Sequence, residues 1–254
     1  MDAPNSRKAS APTFARSDAA VVSVQGLTKR YGEVNAVEDL SFRLDPSTVT
    51  GFLGPNGAGK TTTLRLILGL AEPTSGTALV FGNRYQALEQ PARQLGAVLE
   101  SNDFHPGRSG RDHLRIVATA ADLAESRVDE VLETVGLTKA ARRAVRTYSL
   151  GMRQRLGIAA ALLGEPELLV LDEPANGMDP AGMQWLRLML RRFAQDGGTV
   201  LVSSHLLAEV AQTVDRVLII SGGHLLADAA VDELAGNGQS LEDVYLKLTA
   251  EAVS

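Results

Sequence analysis

Apolar positions along the chain follow two rhythms. Short apolar or alternating runs predict strands over residues 21–27, 34–37, 40–44, 49–53, 76–81, 95–99, 168–171 and 199–203, because a strand repeats every two residues and a fully buried one is apolar throughout. Residues 217–220 and 225–227 flank Gly222-Gly223 and predict a hairpin. Apolar residues three and four apart predict helices over 61–70, 182–193 and 206–213. A helical insert spans about 111–146, with Val128, Val131, Leu132 and Val135 on one face and Gly136 as a stop. Ser149 reads as the cap of a further helix that stops at Gly164. The entry is therefore β-rich, and the alternation of strand and helix after residue 165 predicts a parallel α/β sheet. Residues 1–20 show no periodicity and read as a disordered tail, since Asp2 and Asp18 interrupt the charge of Arg7, Lys8 and Arg16 and no amphipathic face forms.

The first chemistry lies between a strand and a helix, at Gly54-Pro55-Asn56-Gly57-Ala58-Gly59-Lys60-Thr61-Thr62. Glycines at 54, 57 and 59 let the backbone turn successive N–H groups inward on a phosphate, and the following helix adds its positive end. Lys60 is placed to reach the β and γ phosphates and Thr61 to offer a hydroxyl to Mg²⁺, as the G-x-x-x-x-G-K-[ST] pattern requires.

A fully apolar strand then ends in Asp172-Glu173-Pro174. Its end puts Asp172 at the carboxyl edge of a parallel sheet, where ligands bind. Asp172 suits Mg²⁺, directly or through water, and Glu173 suits a base that takes a proton from the attacking water. Ser149 and Gly151 open a helix and so present a second anion-binding end, one more than a single nucleotide needs from one subunit.

Composition narrows the options. At 254 residues the chain suffices for one large domain or two modest ones. No stretch approaches the roughly 18 apolar residues of a membrane span, and residues 1–20 lack a secretory apolar core. Cysteine is absent, which excludes disulfides and thiolate metal sites and is compatible with an intracellular location. A net charge of −5 disfavours nucleic acid as a partner.

In order and spacing, the phosphate loop, Tyr148-Ser149-Leu150-Gly151-Met152, the strand ending in Asp172 and Glu173, Asn176-Gly177-Met178-Asp179 and His205 resemble the motifs of ATP-binding cassette (ABC) ATPases. The signature stretch from Ser149 is the family-specific part; a phosphate loop alone also suits GTPases, kinases and helicases. Its continuation through Arg153-Gln154-Arg155-Leu156-Gly157-Ile158-Ala159 is similar to subunits that energise antibiotic, lantibiotic and multidrug export.

The resemblance implies an α/β P-loop NTPase cassette with a RecA-like core, an N-terminal antiparallel β subdomain and a helical signature subdomain at about 101–164. The nucleotide-binding domain would span 21–248, leaving 249–254 as a tail. ATP and Mg²⁺ are the implied cofactors, and ATP hydrolysis coupled to transport the implied activity. The implied partners are a second cassette, as a homodimer, and a separate membrane permease, with no nucleic acid. This places the chain on the cytoplasmic face of the membrane as a peripheral subunit. Two cassettes would close head to tail around two ATP molecules, with Ser149 and Gly151 of one copy on the γ phosphate held by Lys60 of the other. Tyr31 takes the place of the aromatic that stacks on adenine. Asp179 takes that of the loop coupling the two sites, and His205 that of the histidine that positions the attacking water. Glu173 and His205 form the implied catalytic pair; Thr61, Glu100 and Asp172 form the implied metal set.

Two departures stand out. Leu150 and Met152 replace the Gly and Gln usual in the signature, so one close backbone approach to the nucleotide is expected to be lost. Glu100 stands where the family has Gln and adds charge beside Asp172 and Glu173, which implies an altered metal or pH dependence. The helical insert and the segment 100–115, with Phe104, His105 and Pro106 exposed, would receive the permease's coupling helix; a solvated loop is the alternative reading of those three residues. His105, His113 and His224 fit no motif and read as surface or loop residues. A soluble cassette serving iron–sulfur assembly, a ribosome or DNA is the rival reading: a single cassette argues against ribosome factors, the lack of a long coiled coil argues against repair proteins, and the iron–sulfur role stays open. A regulatory ATP sensor with little turnover is the third, opposed by the presence of both Glu173 and His205.

Overall fold

The computed structural model describes residues 20–99, 104–205, 212–234 and 240–251. Nine strands and eight helices of four or more residues are formed among them, in the order β1 (Val22–Tyr31), β2 (Val34–Leu44), β3 (Val49–Leu53), α1 (Lys60–Ile67), β4 (Ser75–Val80), α2 (Pro91–Gln94), β5 (Leu95–Val98), α3 (Gly110–Ala120), α4 (Ser126–Thr134), α5 (Leu150–Leu162), β6 (Leu168–Leu171), α6 (Pro180–Gln195), β7 (Thr199–Ser204), β8 (Arg216–Ser221), β9 (His224–Ala230), α7 (Val231–Leu234) and α8 (Leu241–Glu251). The strands form a three-stranded antiparallel sheet, β2-β1-β4, and a six-stranded sheet, β5-β6-β7-β3-β8-β9. The first five strands of the larger sheet are parallel and β9 closes its edge antiparallel to β8.

Side-chain alternation divides the apolar strands of the large sheet between two cores. Leu169, Leu171, Val200, Val202, Val217 and Ile219 face a cluster with Leu114, Leu132, Leu156 and Leu186 of α3 to α6. Leu168, Val170, Leu201, Phe52, Leu218 and Ile220 face the other way, against α1 and the three-stranded sheet with Val22, Leu27, Leu40 and Leu44. A strand covered on both faces reads as an unbroken apolar run, and the pleat alone sorts its residues between the layers.

Several boundaries differ from the sequence expectation, three of them as follows. Residues 34–37 and 40–44 belong to the one strand β2, because a bulge shifts its pairing register with β1 between Val24 and Lys29. There Gly26 and Asp39 adopt φ of 55° and 50°, and the Ser41 hydroxyl accepts the Gly26 N–H at 2.9 Å. The extra residue moves the buried positions from Val37 to Leu40, which breaks the period-2 pattern in the sequence. Helix α1 ends before 70 because Gly69, at φ 63°, turns the chain and Leu70 N–H bonds back to Arg65 O at 2.8 Å. Helix α8 runs to Glu251, past the expected domain limit at 248, and Thr249 Oγ1 donates to Tyr245 O at 2.8 Å within it. The expected tail at 1–20, save Ala20, and most of the expected helix at 206–213 lie outside the described residues.

Candidate functional site

The phosphate loop is held by three neighbours. A Cβ on Gly54 would lie 2.4 Å from Ile220 O of β8, and one on Gly59 2.4 Å from Ala36 O of β2. Gly59 also sits at φ 105°, where an L side chain is strained. The third contact is the Gly222-Gly223 turn: Gly223 N–H donates to Ala58 O at 3.1 Å, while Gly223 O accepts from Glu38 N–H at 2.9 Å. Thus the loop is wedged between β2 and the β8–β9 hairpin, which lets it keep an open curve without packing of its own.

Within α1 the first intrahelical bond runs from Thr63 N–H to Gly59 O at 2.8 Å. The amides of Lys60, Thr61 and Thr62 precede it, and no side chain caps the helix. A cleft of about 290 Å³ opens there, lined by Ala36, the loop from Pro55 to Thr62, and Glu173. Unpaired amides at a helix N-terminus, a cleft and a lysine together fit a polyphosphate.

Lys60 is 6% exposed, and its Nζ donates to Gly54 O at 2.7 Å while lying 3.5 Å from Glu173 Oε1. The other carboxylate oxygen, Glu173 Oε2, is 2.8 Å from His205 Nδ1. One partly buried carboxylate is thereby clamped between the loop lysine and the histidine past β7. Its backbone adopts φ 48°, in the left-handed region, at a cost of roughly 1–2 kcal/mol for a residue with a Cβ. Strain of this kind persists where surrounding contacts over-determine the geometry, often at functional sites.

Asp172, 1% exposed, sits one residue earlier at the end of β6. Its Oδ2 accepts the Thr61 hydroxyl at 2.7 Å and its Oδ1 accepts the Ser203 hydroxyl at 2.5 Å. Thr61 Oγ1 and Asp172 Oδ2 thus converge at the mouth of the phosphate loop as two hard oxygen donors. Among the described residues no group of three His, Asp or Glu side chains could hold a metal ion by itself. This donor set fits Mg²⁺, which takes one or two protein oxygens and completes its shell with phosphate and water.

Ser149 and Gly151 stand elsewhere. Ser149 Oγ caps α5 by accepting the Met152 N–H at 3.2 Å. The approach to this cap is fixed by Tyr148, whose hydroxyl donates to Ala140 O at 2.8 Å and which burial holds above the usual phenol range. Among the described residues no hydrogen bond joins Ser149 or Gly151 to the phosphate loop. Instead a Cβ on Gly177 would fall 2.1 Å from Leu150 Cδ2, and one on Gly151 3.4 Å from Gly177 O. The Leu150 side chain therefore lies over Gly177, in the Asn176-Gly177-Met178-Asp179 loop, and remains 54% exposed. Asp179 caps α6, its Oδ1 accepting the Gly182 N–H at 2.7 Å.

Tyr31 is 51% exposed at the tip of the β1–β2 hairpin, with Lys29 Nζ 4.9 Å from its ring centroid. Glu100 lies outside the described residues. The sequence reading missed Ser203, Ala36 and the Gly223 contact; for Ser203 the signal was a hydroxyl at the end of an otherwise apolar strand. It also took Phe104 as exposed and His113 as a surface or loop residue. Phe104 is half-buried, its ring edge-on to His113 of α3 with centroids 4.8 Å apart.

The sequence model of the ABC transporter family matches residues 37–176. This chain belongs to the ABC transporter family. As an ABC cassette it binds nucleotide and is an ATPase. It is 42% identical to the bacitracin transport ATP-binding protein BcrA of Bacillus licheniformis over 92% of this chain and 77% of that protein. It is 34% identical to the lantibiotic transport ATP-binding protein SrtF of Streptococcus pyogenes over 89% of this chain and 96% of that protein. A solved structure of the ATP binding subunit of an ABC transporter superposes with a TM-score of 0.81 at 29% identity, covering 90% of this ABC cassette and 99% of that chain.

Proposed function

We propose that this chain is the ATP-hydrolysing subunit of an exporter of antibiotic, peptide or drug-like cargo, working as a homodimer docked on a separate membrane permease. Relatives named for bacitracin and lantibiotic transport support the cargo class and favour it over the iron–sulfur role. Among the described residues no helix is long and apolar enough to cross a membrane, in keeping with a peripheral subunit at the cytoplasmic face of a separately encoded membrane partner.

The observation that carries hydrolysis is the convergence of Lys60, Glu173 and His205 on the cleft where Thr61 and Asp172 meet. The loop from Gly54 to Thr62 cradles the phosphates with its backbone amides, and Lys60 neutralises the β and γ charges. Thr61 and Asp172 would hold Mg²⁺, which would supply charge stabilisation to the transferring phosphoryl group. Glu173, poised beside His205, orients and deprotonates the attacking water. Tyr31 stacks on adenine. Ser149 and Gly151 present the exposed end of α5 to the γ phosphate of the partner copy, and Asp179 links the two sites. By its place in the sequence, Glu100 would add a further oxygen to that metal set, as the resemblance implies.

Glu173→Gln tests this reading. The expected outcome is a kcat lowered at least about a hundredfold with ATP binding retained, and an ATP-dependent dimer on size-exclusion chromatography. Turnover near that of the unaltered chain removes Glu173 from the base role. A chain that stays monomeric with ATP and Mg²⁺ rules out the shared site. Affinity capture of the tagged chain from detergent-solubilised membranes is expected to bring down a polytopic permease.

A further inference from the structure

Ser203 joins the two acids at the sheet edge. It is fully buried, the penultimate residue of β7, and β7 lies between β6, which carries Asp172, and β3, which leads into the phosphate loop. Its hydroxyl donates to Asp172 Oδ1 at 2.5 Å and accepts the backbone N–H of Glu173 at 2.9 Å. A hydroxyl has one proton and two lone pairs, so these bonds use its proton and lock its rotor.

Each acid is affected differently. With Oδ1 engaged, the Asp172 carboxylate plane is set, and Oδ2 is left aimed at Thr61 Oγ1, 2.7 Å away. At Glu173 the hydroxyl satisfies the amide of a residue whose φ is 48°. That bond ties the turn to β7, the strand that also delivers His205. An apolar side chain at 203 would leave a buried N–H unpaired and free the Asp172 carboxylate to rotate.

We propose that Ser203 is a positioning residue for ATP hydrolysis: its hydroxyl aims Asp172 at the metal–phosphate site and holds Glu173 in the conformation that faces the cleft. The inference rests on the ATPase reading above and adds to it the group that orients both acids. Fully buried, with its proton on Asp172 and a lone pair on the Glu173 N–H, Ser203 acts through the metal ligand and the base.

The experiment uses the full chain and three substitutions, Ser203→Ala, Ser203→Cys and Ser203→Thr, with Thr50→Val as the comparison. Thr50 Oγ1 is buried on β3 without a hydrogen-bond partner, so its loss reports only the removal of a hydroxyl from the sheet. Binding of a fluorescent ATP analogue is measured in EDTA and in Mg²⁺, together with turnover against Mg²⁺ concentration. For Ser203→Ala the binding in EDTA is expected within about twofold of the unaltered chain, while the half-saturating Mg²⁺ rises and kcat falls by about 10- to 100-fold, the range for losing a partner that orients a metal ligand. Ser203→Cys, which keeps the volume with a weaker donor, shifts in the same direction and serves if the alanine chain does not fold. Ser203→Thr keeps the hydroxyl and returns the Mg²⁺ dependence toward the original. Thr50→Val leaves it unchanged.

An unaltered Mg²⁺ dependence in Ser203→Ala or Ser203→Cys overturns the proposal. So does loss of EDTA and Mg²⁺ binding in parallel with a fall in melting temperature, which is the pattern of a structural hydroxyl. Failure of the unsubstituted chain to hydrolyse ATP would instead strike the ATPase reading, and the Mg²⁺-linked tightening of binding would still decide whether Ser203 aims Asp172.

Discussion

Gly59 shows how tightly single positions are set. Its φ of 105° excludes an ordinary side chain, and a Cβ would press on Ala36 O at 2.4 Å, a backbone atom that cannot swing aside. Gly59→Ala is therefore expected to weaken nucleotide binding at least about tenfold, since moving the loop by a few tenths of an ångström misdirects several amides together, as a titration with a fluorescent nucleotide would show. This residue was legible in the sequence because the glycine spacing of the loop is itself a record of backbone geometry. Ser203 was not: its partner Asp172 is 31 residues away, and only strand pairing brings the two together. Leu150 lies between these cases. The sequence marked it as a departure expected to lose a close approach to the nucleotide, and the structure shows where the larger side chain goes, against a glycine at 177.

A helix start was readable where a capping residue marks it. Ser149 caps α5 and Asp179 caps α6 with Pro180 in its first turn, as the sequence pattern suggested for the former. Ser149→Ala removes a bond to the Met152 amide and is expected to cost about 1 kcal/mol, a fall of about 2–4 °C in melting temperature for a chain of this size. Differential scanning calorimetry of the two chains measures it. Strand limits were less readable where the backbone departs from the pleat. The bulge at Gly26 and Asp39 inverts the alternation part-way along β2, and a side-chain pattern cannot tell a bulge from a break. Conversely, the four residues of β6 were placed without error because both faces are covered and every position is apolar.

At the scale of the molecule, the two cores were foreshadowed by the apolar strands, but how the helical layer joins them was not. His113 belongs to that layer. Burial, aided by the Arg108 charge, holds its imidazole below the ordinary range. In the unfolded chain it titrates near about 6.5, so below that pH the unfolded state binds the extra proton and the folded state resists it. Stability then rises with pH and is lost as pH falls through about 6.5. The melting temperature is expected to drop between about pH 7 and pH 5.5, and His113→Leu to flatten that part of the profile.

The position of Gly223 has a further meaning. Its N–H is committed to the phosphate loop and its carbonyl to β2 of the small antiparallel sheet, while the strands on either side belong to the large six-stranded one. Three parts of the cassette meet at this one residue, whose two flanking peptide planes are joined at the Gly223 Cα. A shift of the phosphate loop pulls on the first of these planes and, through the Gly223 Cα, on the second, so the loop and the hairpin whose tip carries Tyr31 are geared to one another through one residue.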